Sequence, residues 1–380
     1  MSTSKTKELI LVTGGAGFIG GHLVDALIKG GYRVRVLDNL SPPTHNGKLP
    51  EWFNNKAEFY KGDVRRKKDW KRALTGVNYV FHLAAYMDFH PDFSIYFTTN
   101  AAGTALFYEV AAEEKLSIKK VIIASSQAVY GEGKYFCPKH SIIYSLLRPE
   151  EQLKKGKWEV LCPRDGKIIK PLFAKEEDQV YPINPYGISK KAAEDTILSL
   201  GRLYNIPSVA LRFSIVLGPR QSFRHFYSGA LRQFSVMALA GQKFTMHEDS
   251  QQFRDYIDVR DVVAAHLTVL KNPQADFHIF NVGSGRPTRV QDLARQTAKI
   301  AGVNFVSYTP GFYRIGAPRH SIMDISKLKK IGWRPQYSLE DSVREYFTWI
   351  KNYPEAQEFF VKTMQQMEQG GLLKRSSNFF

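Results

Sequence analysis

The sequence predicts an α/β protein built on a doubly wound parallel sheet, with a smaller α/β lobe beside it. Apolar runs alternate with amphipathic stretches from residue 7 to about residue 212, as in repeated βαβ units. A glycine-rich turn follows the first of these runs. Beyond residue 213 the alternation loosens, which indicates a second lobe.

The first apolar run, Leu9–Val12, is unbroken, which is typical of a strand buried on both faces of a parallel sheet. The turn after it holds Gly14, Gly17 and Gly20, and the amphipathic stretch His22–Lys29 follows as a helix. A helix start offers unpaired N–H groups, and glycines let phosphate oxygens approach them. Strand, turn and helix together predict a site for a dinucleotide pyrophosphate. A glycine turn without a ligand is the weaker interpretation.

The second strand, Arg33–Leu37, ends at Asp38. A carboxylate at this place accepts hydrogen bonds from the hydroxyls of an adenosine ribose and repels a phosphate on that ribose. The sequence therefore favours NAD over NADP.

A tyrosine and a lysine further along the chain can move a proton while a dinucleotide moves a hydride. Pro185 suits the first turn of a helix, and Tyr186 and Lys190 are then four residues apart on one face of it. The lysine ammonium favours the phenolate form of the tyrosine, which can then act as a base near neutral pH. A solvated helix face is the alternative, but it leaves the dinucleotide turn unexplained.

Ser126 is the third candidate for the chemistry. It follows the apolar strand Val121–Ala124, and open α/β sheets bind their ligands at the carboxyl ends of their strands. We predict that Ser126 hydrogen-bonds the reacting oxygen and holds it for Tyr186.

These features belong to a longer series of motifs. In chain order the motifs are TGGAGFIG (13–20), DNLS (38–41), GDV (62–64), HLAA (82–85), SSQAVYG (125–131), YGISK (186–190), LRFSIVLGPRQ (211–221), RDYIDVRDVV (254–263) and NVGSG (281–285). Over roughly residues 7–350 the chain resembles an extended short-chain dehydrogenase/reductase of the nucleotide-sugar epimerase and dehydratase branch. The resemblance implies a Rossmann domain that binds NAD, a lobe that binds a nucleotide sugar, and a homodimer.

The resemblance also implies roles for individual residues. The residues implied to line the pyrophosphate are Gly14, Gly17, Phe18, Ile19 and Gly20. Those implied to hold the adenosine are Asp38 and Asn39 at the ribose and Asp63 and Val64 at the adenine. Those implied to lie near the nicotinamide half are Leu83, Ala84, Ala85 and Asn100. The implied catalytic trio is Ser126, Tyr186 and Lys190, with the lysine also bonding the nicotinamide ribose.

The pattern divides the chain into an interrupted domain, a lobe and a tail. The predicted units are an NAD-binding Rossmann domain at 1–212 plus 253–283 with an insert at 132–180, a sugar-nucleotide-binding lobe at 213–252 plus 284–350, and a C-terminal tail at 351–380. Within the tail we expect the last 25 residues to fray. Within 253–283 we expect a helix over Asp261–Leu270 and a strand over His278–Phe280.

The residues after Ser126 bear on the type of reaction. Related dehydratases carry a titratable acid–base pair there, because removing water needs a second proton donor and acceptor. This chain has Gln127 and Ala128, which do not titrate. The sequence therefore favours epimerisation at C4 of the sugar. A dehydratase, a net oxidoreductase and a non-catalytic binding protein are the alternatives.

The long insert bears on the sugar. Together with Gly218–Ser222 and Tyr227–Gly229, it resembles the dTDP-L-rhamnose 4-epimerases, with UDP-glucose or UDP-N-acetylglucosamine 4-epimerases as the alternative. We predict that Arg254 and Arg319 bind the diphosphate, because a guanidinium donates two parallel hydrogen bonds to phosphate; a surface salt bridge is the alternative for each. The residues expected beside the sugar are Met87, Asp88, Phe89 and His90, with no chemistry assigned to the histidine. Two departures from the family pattern, Ile215 and Gly316–His320, leave the sugar's identity open.

The insert also contains two CPxx segments, which are similar to the knuckles of a zinc ribbon. Their possible ligands are Cys137, His140, Cys162 and Asp165. Aspartate is uncommon in structural zinc sites, and two unrelated free cysteines are the other interpretation. The sequence therefore does not assign a metal site, and zinc binding remains one of two interpretations of these residues.

Composition excludes several classes of protein. No run of about 18 apolar residues occurs, so we predict no membrane span. The net charge is +17, but the lysines and arginines are dispersed and no nucleic-acid motif occurs, so we expect no nucleic-acid partner. Most of the excess is interpreted as a basic solvated surface, and a basic cleft that attracts anionic nucleotides is the other interpretation. Two cysteines in 380 residues favour a reducing compartment, and we expect a cytoplasmic protein.

Overall fold

The computed structural model describes residues 8–88, 91–224, 229–371 and 373–377. Its strands are β1 (Leu9–Thr13), β2 (Arg33–Asp38), β3 (Glu58–Lys61), β4 (Tyr79–His82), β5 (Lys120–Ser126), β6 (Lys134–Cys137), β7 (Ser141–Tyr144), β8 (Lys170–Pro171), β9 (Ser208–Phe213), β10 (Ile215–Leu217), β11 (Phe244–His247), β12 (Phe253–Asp258), β13 (Ile279–Val282), β14 (Pro287–Arg289), β15 (Ser307–Tyr313) and β16 (Lys374–Arg375).

Its helices are α1 (Phe18–Lys29), α2 (Lys67–Leu74), α3 (Phe93–Tyr96), α4 (Gly103–Glu113), α5 (Glu150–Lys154), α6 (Pro185–Leu203), α7 (Gly229–Leu239), α8 (Val259–Lys271), α9 (Val290–Ala301), α10 (Ser326–Lys330), α11 (Leu339–Ile350) and α12 (Ala356–Gln369). A π-helical turn spans Phe97–Ala102, and short 3₁₀ turns span Gln127–Tyr130 and Pro273–Ala275. Among the described residues, no helix combines the length and the apolar character that crossing a bilayer requires.

The central sheet has seven strands in the order β13-β9-β5-β4-β1-β2-β3, and every neighbouring pair is parallel. The predicted doubly wound Rossmann sheet is therefore confirmed. Successive strands leave β1 in opposite directions, through β2 on one side and β4 on the other. The crevice at the carboxyl ends of β1 and β4 is the place where such sheets bind their ligands.

The first strand shows why an unbroken apolar run suits the middle of this sheet. Ile10 and Val12 pack into the core on one face, and Leu9 and Leu11 pack into the core on the other. Side chains alternate between faces along a strand, so a strand covered by helices on both sides needs apolar residues throughout.

The second lobe contains two three-stranded sheets, β10-β12-β14 and β11-β15-β16. Its core includes buried side chains of α7, α9 and α11. The segment 253–283 is divided between the two lobes, which differs from its predicted return to the first domain as a whole. Strand β13 joins the seven-stranded sheet, whereas β12 pairs with β10 and β14.

The last 25 residues, which were expected to fray, are folded in their described part. Helix α12 begins at the buried Ala356 and packs Phe360 into the core of the second lobe. Strand β16 then pairs antiparallel with β15, and the buried Ser376 donates a hydrogen bond to the main-chain oxygen of Lys154. The glycines and serines of this segment predicted fraying, but the apolar residues before them pack into the core of the second lobe.

The insert 132–180 forms its own three-stranded antiparallel sheet, in the order β7-β6-β8. Its two ends meet, because a Cβ atom added to Gly131 would lie only 1.9 Å from the main-chain oxygen of Tyr181. Gly131 also has a φ of +66°, which favours glycine. The insert therefore leaves and rejoins the first lobe at a single point, between the strand end at Ser126 and the helix that carries Tyr186.

Candidate active site

The glycine turn is closely packed against its neighbours. Gly14 has a φ of +70°, and a Cβ atom on it would lie 2.8 Å from the main-chain nitrogen of Ala84. A Cβ atom on Gly20 would lie 2.1 Å from the main-chain oxygen of Gly14. Gly17 precedes α1 and gives it no side-chain cap, so the N–H groups of the first turn are available to an anion. The first residues of α1, both half-buried, are Phe18 and Ile19. This cradle fits the pyrophosphate of NAD.

Asp38 connects the glycine turn to the end of β2. Its two carboxylate oxygens accept hydrogen bonds from the main-chain nitrogens of Ala16 (3.1 Å) and Leu40 (2.9 Å). Asn39 is exposed next to it and donates to the Oδ2 atom of Asp63 (3.3 Å). The two residues predicted at the ribose therefore lie beside the turn, with the exposed amide on the adenine side.

Asp63 is held as a carboxylate. Although burial opposes its ionisation, hydrogen bonds from Arg65 and Asn39 lower its pKa to about 2. The Nη2 atom of Arg65 lies 2.6 Å from Asp63 Oδ2. Val64 is buried in the core beside it. The pair predicted at the adenine thus has one fixed charge and one apolar side chain.

The segment after β4 crosses the turn at the place predicted for the nicotinamide half. Leu83 and Ala84 are half-buried, and Ala85 is exposed. The main-chain nitrogen of Ala84 donates to the Oγ1 atom of Thr13 (3.1 Å), which holds this segment against the end of β1.

Asn100 ties this segment to the catalytic helix. Its Oδ1 atom accepts a hydrogen bond from the main-chain nitrogen of Tyr86 (2.7 Å), and its Nδ2 atom donates to Ser189 Oγ (2.9 Å). Ser189 in turn donates to the main-chain oxygen of Tyr186 (2.8 Å). Asn100 lies in the π-helical turn, and such turns are frequent at functional sites.

The catalytic candidates come from two elements that meet at the carboxyl edge of the sheet. Ser126 is the last residue of β5, and its Oγ atom accepts a hydrogen bond from the main-chain nitrogen of Ala128 (3.1 Å). The Nζ atom of Lys190 on α6 donates to the main-chain oxygen of Ala124 (2.9 Å) and lies 5.8 Å from the ring centre of Tyr186. The helix is thereby tied to the strand two residues before Ser126.

The start of α6 is fixed locally. Asn184 caps the helix by accepting a hydrogen bond from the main-chain nitrogen of Gly187 (2.8 Å), and Pro185 occupies the first turn. Tyr186 then lies in the first turn and is half-buried. Capping thus sets where the phenol lies along the helix.

Lys190 is buried, with 4% of its surface exposed. Burial lowers its pKa from 10.5 to about 8, although the nearby carboxylate of Glu194 opposes this change. Its charged form is therefore favoured at neutral pH and is lost as the pH rises above about 8.

Sequence reasoning missed a buried polar network behind the trio. Glu194 accepts two hydrogen bonds from Arg212, both of 2.8 Å, and a third from Ser125 Oγ (2.5 Å). Arg212 also donates to the hydroxyl of Tyr130, which donates to Asn281 (2.7 Å). Arg212, Tyr130 and Asn281 each fall within a recognised motif, but their charge and polarity alone did not reveal that they meet. The network joins β5, α6, β9 and β13.

Arg254 lies on β12 and is half-buried. Three of the five N–H groups of its guanidinium donate to main-chain oxygens, those of Phe253, Arg319 and Pro318. The side chain is therefore held in place by neutral acceptors, and no salt bridge of Arg254 occurs among the described residues. This environment is compatible with the predicted phosphate contact.

Arg319 is placed differently from the prediction. It has 0% of its surface exposed, and its guanidinium donates to the carboxylates of Glu159, Glu248 and Asp249 at 2.6–3.1 Å. All three of its nitrogen atoms are used in this way. The predicted diphosphate contact is wrong for Arg319, because its charge is already neutralised within the protein.

Arg319 belongs to a group of charged residues that we call the buried ionic cluster. The cluster consists of Glu132, Arg148, Glu159, Glu248, Asp249 and Arg319. Glu132, Arg148 and Glu159 come from the insert, and the remaining members come from the second lobe. The cluster therefore joins the insert to that lobe.

The residues predicted beside the sugar are described only in part. Met87 is half-buried, and Asp88 is buried. Gln127, the first of the two positions that set the reaction type, accepts a hydrogen bond from Ser321 Oγ (2.8 Å). The other residues used in the predictions, Phe89, His90, Tyr227 and Ser228, lie outside the described part of the chain.

Comparison with known proteins decides the family. Residues 10–152 and 163–283 match the NAD dependent epimerase/dehydratase family. The chain belongs to this family. The predicted resemblance is confirmed, and the chain is an enzyme whose cofactor is NAD.

Individual members of the family match along most of their length. A dTDP-L-rhamnose 4-epimerase of Burkholderia thailandensis is 31% identical over 348 residues, which cover 90% of this chain and 94% of that protein. The structure of a UDP-glucose 4-epimerase of Thermotoga maritima with UDP-glucose has a TM-score of 0.72 and 31% identity, covering 90% of this chain and 99% of that one. A UDP-glucuronic acid 4-epimerase of Bacillus cereus, in complex with UDP-glucuronic acid and NAD, has a TM-score of 0.73 and 25% identity, covering 90% and 99%.

Proposed function

We propose that this enzyme inverts the configuration at C4 of a nucleotide sugar. The observation that carries the proposal is the trio of Ser126, Tyr186 and Lys190 without a titratable side chain at positions 127 and 128. Gln127 is engaged by Ser321, and Ala128 has only a methyl group. Removing water from the sugar needs a second acid–base pair, whereas inverting C4 needs a hydride carrier and one proton relay.

The chain's own residues supply the proton relay. NAD, when bound, supplies the acceptor for the C4 hydride and its later donor. Tyr186 Oη takes the hydroxyl proton as the C4 carbonyl forms and returns it when the hydroxyl forms again. Ser126 Oγ hydrogen-bonds the same oxygen and aligns it, while the ammonium of Lys190 stabilises the phenolate. The keto sugar turns in the site between the two transfers, so that the hydride returns to the opposite face.

For the sugar we propose a dTDP-6-deoxyhexose. The similarity to a dTDP-L-rhamnose 4-epimerase over 90% of this chain supports this class. The insert, which resembles that class in sequence, borders both catalytic motifs. Ile215 departs from the family pattern and has no polar group that could bind a phosphate, so we assign the diphosphate contact to Arg254. UDP-glucose is the main alternative, on the similarity to UDP-glucose 4-epimerases.

A panel of nucleotide sugars tests the reaction and the substrate together. The purified enzyme is incubated with dTDP-, UDP- and GDP-sugars without added NAD, and the products are analysed by mass spectrometry and NMR. We expect a product of unchanged mass with inverted C4, formed fastest from the dTDP-6-deoxyhexose. A product lighter by one water would identify a dehydratase and overturn the proposal. Faster turnover of UDP-glucose would overturn only the substrate class.

We further propose that the enzyme is a cytoplasmic homodimer. Ile188 and Leu203 on α6 and Phe97 beside α4 are exposed apolar side chains, which supports pairing through these helices. Both cysteines are free, which supports a reducing compartment. Sedimentation velocity of the wild type and of Leu203→Glu tests the dimer: we expect a dimer that dissociates in the variant, and a monomeric wild type would refute it.

A further inference from the structure

Four side chains of the insert converge on one point. They are Cys137 and His140 at the turn between β6 and β7, and Cys162 and Asp165 in the loop before β8. Their sulfur, nitrogen and oxygen atoms all lie within 4.8 Å of one another. We call these four residues the ligand cluster. The sequence showed two short segments, and only the fold brings them together.

The spacing within the ligand cluster is that of a coordination shell. The Nδ1 atom of His140 lies 3.5 Å from the sulfur of Cys137 and 3.3 Å from the sulfur of Cys162. A zinc ion with Zn–S bonds of about 2.3 Å and Zn–N bonds of about 2.0 Å separates its sulfur and nitrogen ligands by roughly 3.5 Å at the tetrahedral angle. The observed distances therefore leave room for one ion between the ligands.

Asp165 brings a buried carboxylate oxygen to the cluster. Its Oδ2 atom is buried and accepts no well-formed hydrogen bond from a described residue, although the thiol of Cys162 interacts with the same carboxylate. This atom lies 3.7 Å from His140 Nδ1. A buried carboxylate oxygen without a partner is costly, and a metal ion supplies the partner.

The loop around Cys162 directs main-chain N–H groups at its sulfur. The N–H groups of Arg164 and Asp165 are directed at the sulfur of Cys162. The loop is closed by a hydrogen bond from the main-chain nitrogen of Gly166 to the main-chain oxygen of Cys162 (2.9 Å). Such outer contacts orient a ligand and stabilise its charge.

We propose that the ligand cluster holds one zinc ion in a tetrahedral, structural site. Two sulfurs, one imidazole nitrogen and one carboxylate oxygen are the donor set that zinc accepts, and four protein ligands leave no open position for a substrate. On binding, each thiol gives up its proton to solvent and becomes a thiolate. The two thiolates and the carboxylate carry three negative charges, of which the ion cancels two.

A disulfide between the two cysteines explains less. Both cysteines are free, and an imidazole nitrogen lies in contact with each sulfur. A disulfide would not explain why an imidazole nitrogen contacts both sulfurs, and it would give Asp165 Oδ2 neither a hydrogen-bond donor nor a cation.

The small size of the insert explains why a metal ion would contribute to its stability. The apolar core beneath the ligand cluster consists of six side chains, and two of them are the cysteines themselves. So small a core contributes little stability, and small units commonly depend on a metal. Because the insert also supplies Glu132, Arg148 and Glu159 to the buried ionic cluster, zinc would set the position of the insert against the second lobe.

Metal analysis of the full chain tests this site independently of the catalytic proposal. The protein is expressed with zinc in the medium, purified without chelator and analysed by plasma mass spectrometry. We expect about one zinc per chain. A stoichiometry on the order of 0.1 or less would overturn the proposal. A disulfide found in protein denatured under thiol-blocking conditions would overturn it as well.

Variants assign the ion to the cluster. Cys162→Ser should abolish zinc binding, and Asp165→Asn should weaken it by more than the 10–100-fold that an outer contact contributes. Lys139→Ala is the matched control, because Lys139 is exposed between two ligands and should keep full zinc content. Cobalt added to the zinc-free wild type should give a thiolate charge-transfer band that Cys162→Ser lacks. Full zinc content in Cys162→Ser would refute the assignment.

Discussion

The seven-stranded sheet and the insert 132–180 both border the catalytic residues, but different interactions stabilise them. Ile10, Leu11 and Val12 in the middle of the sheet have 0% of their surface exposed, and they pack into large cores on two faces. The insert has a small core of six side chains that includes the two cysteines of the ligand cluster, and it contributes three residues to the buried ionic cluster. A large sheet is stable through apolar burial, whereas a small one needs polar or metal contacts.

The difference also separates two tasks. The sheet and α6 position the trio proposed to carry the chemistry, and the insert begins and ends between the two motifs that supply that trio. The insert can therefore change the fit of the sugar while the proton relay stays the same. Substitutions in the sheet and α6 should therefore have different effects from substitutions in the insert.

Tyr186→Phe should lower turnover by at least about 100-fold, because it removes the group that accepts the C4 hydroxyl proton. The cofactor should remain bound, since the glycine turn and Asp38 are unchanged. Tyr204→Phe is the matched control, because Tyr204 is an exposed tyrosine at the other end of the same helix. Steady-state kinetics and the NAD content of the purified variants measure the two effects. Turnover near that of the wild type would contradict the role of Tyr186.

Arg212→Met should lower the free energy of unfolding by about 3–5 kcal/mol, because it leaves the carboxylate of Glu194 buried without its partner. Urea denaturation followed by tryptophan fluorescence measures this loss. An unchanged midpoint would show that the network behind the trio is not needed for stability.

Arg148→Met is the corresponding change in the insert, and we expect a smaller loss of stability. Burial already raises the pKa of Glu132 to about 7, against the influence of Arg148. Without Arg148 this pKa should rise further, and Glu132 can take up a proton instead of remaining charged. Arg319 continues to pair with Glu248. The main effect should be a higher KM for the sugar nucleotide. A loss of unfolding free energy equal to that of Arg212→Met would contradict the expected difference between the two regions.

The pH profile of kcat/KM should show an alkaline decline that begins near pH 8. The pKa of Lys190 is lowered to about 8, so the ammonium that stabilises the Tyr186 phenolate is present below this pH and is lost above it. Lys190→Arg keeps its charge at alkaline pH, so any residual activity should no longer decline there. Identical profiles for the wild type and Lys190→Arg would exclude Lys190 as the titrating group.

Lys191→Ala should change the free energy of unfolding by only about 0.3–0.5 kcal/mol. Lys191 is next to Lys190, but it forms a partly exposed salt bridge with Asp195, which lies one helical turn further along. Thermal denaturation should show a small shift and unchanged kinetics. A large effect would mean that the surface of α6, and not only its buried face, holds the trio in place.

Local patterns in the sequence were sufficient to predict the fold, and they supplied the candidate residues of the site. The unbroken run Leu9–Val12, the spacing of Gly14, Gly17 and Gly20, and the pair of Tyr186 and Lys190 each depend on neighbours within a few residues. A strand, a turn or one face of a helix is determined at that range, so the periodicity of the chain is informative.

Tertiary structure alone decided which distant residues meet. Arg319 was predicted to bind phosphate, but Glu248 and Asp249 neutralise its charge. These two acidic residues are far from Arg319 in the sequence, so no local pattern predicts the contact. Phe360 and Ser376 looked like parts of a loose tail, but a core and a strand edge far along the chain receive them. Residue types and their local spacing predicted the candidate residues for the chemistry, because a turn or a helix face depends on near neighbours. Burial and charge pairing between remote segments decided which candidates remain available for a ligand, because these contacts exist only in the folded chain.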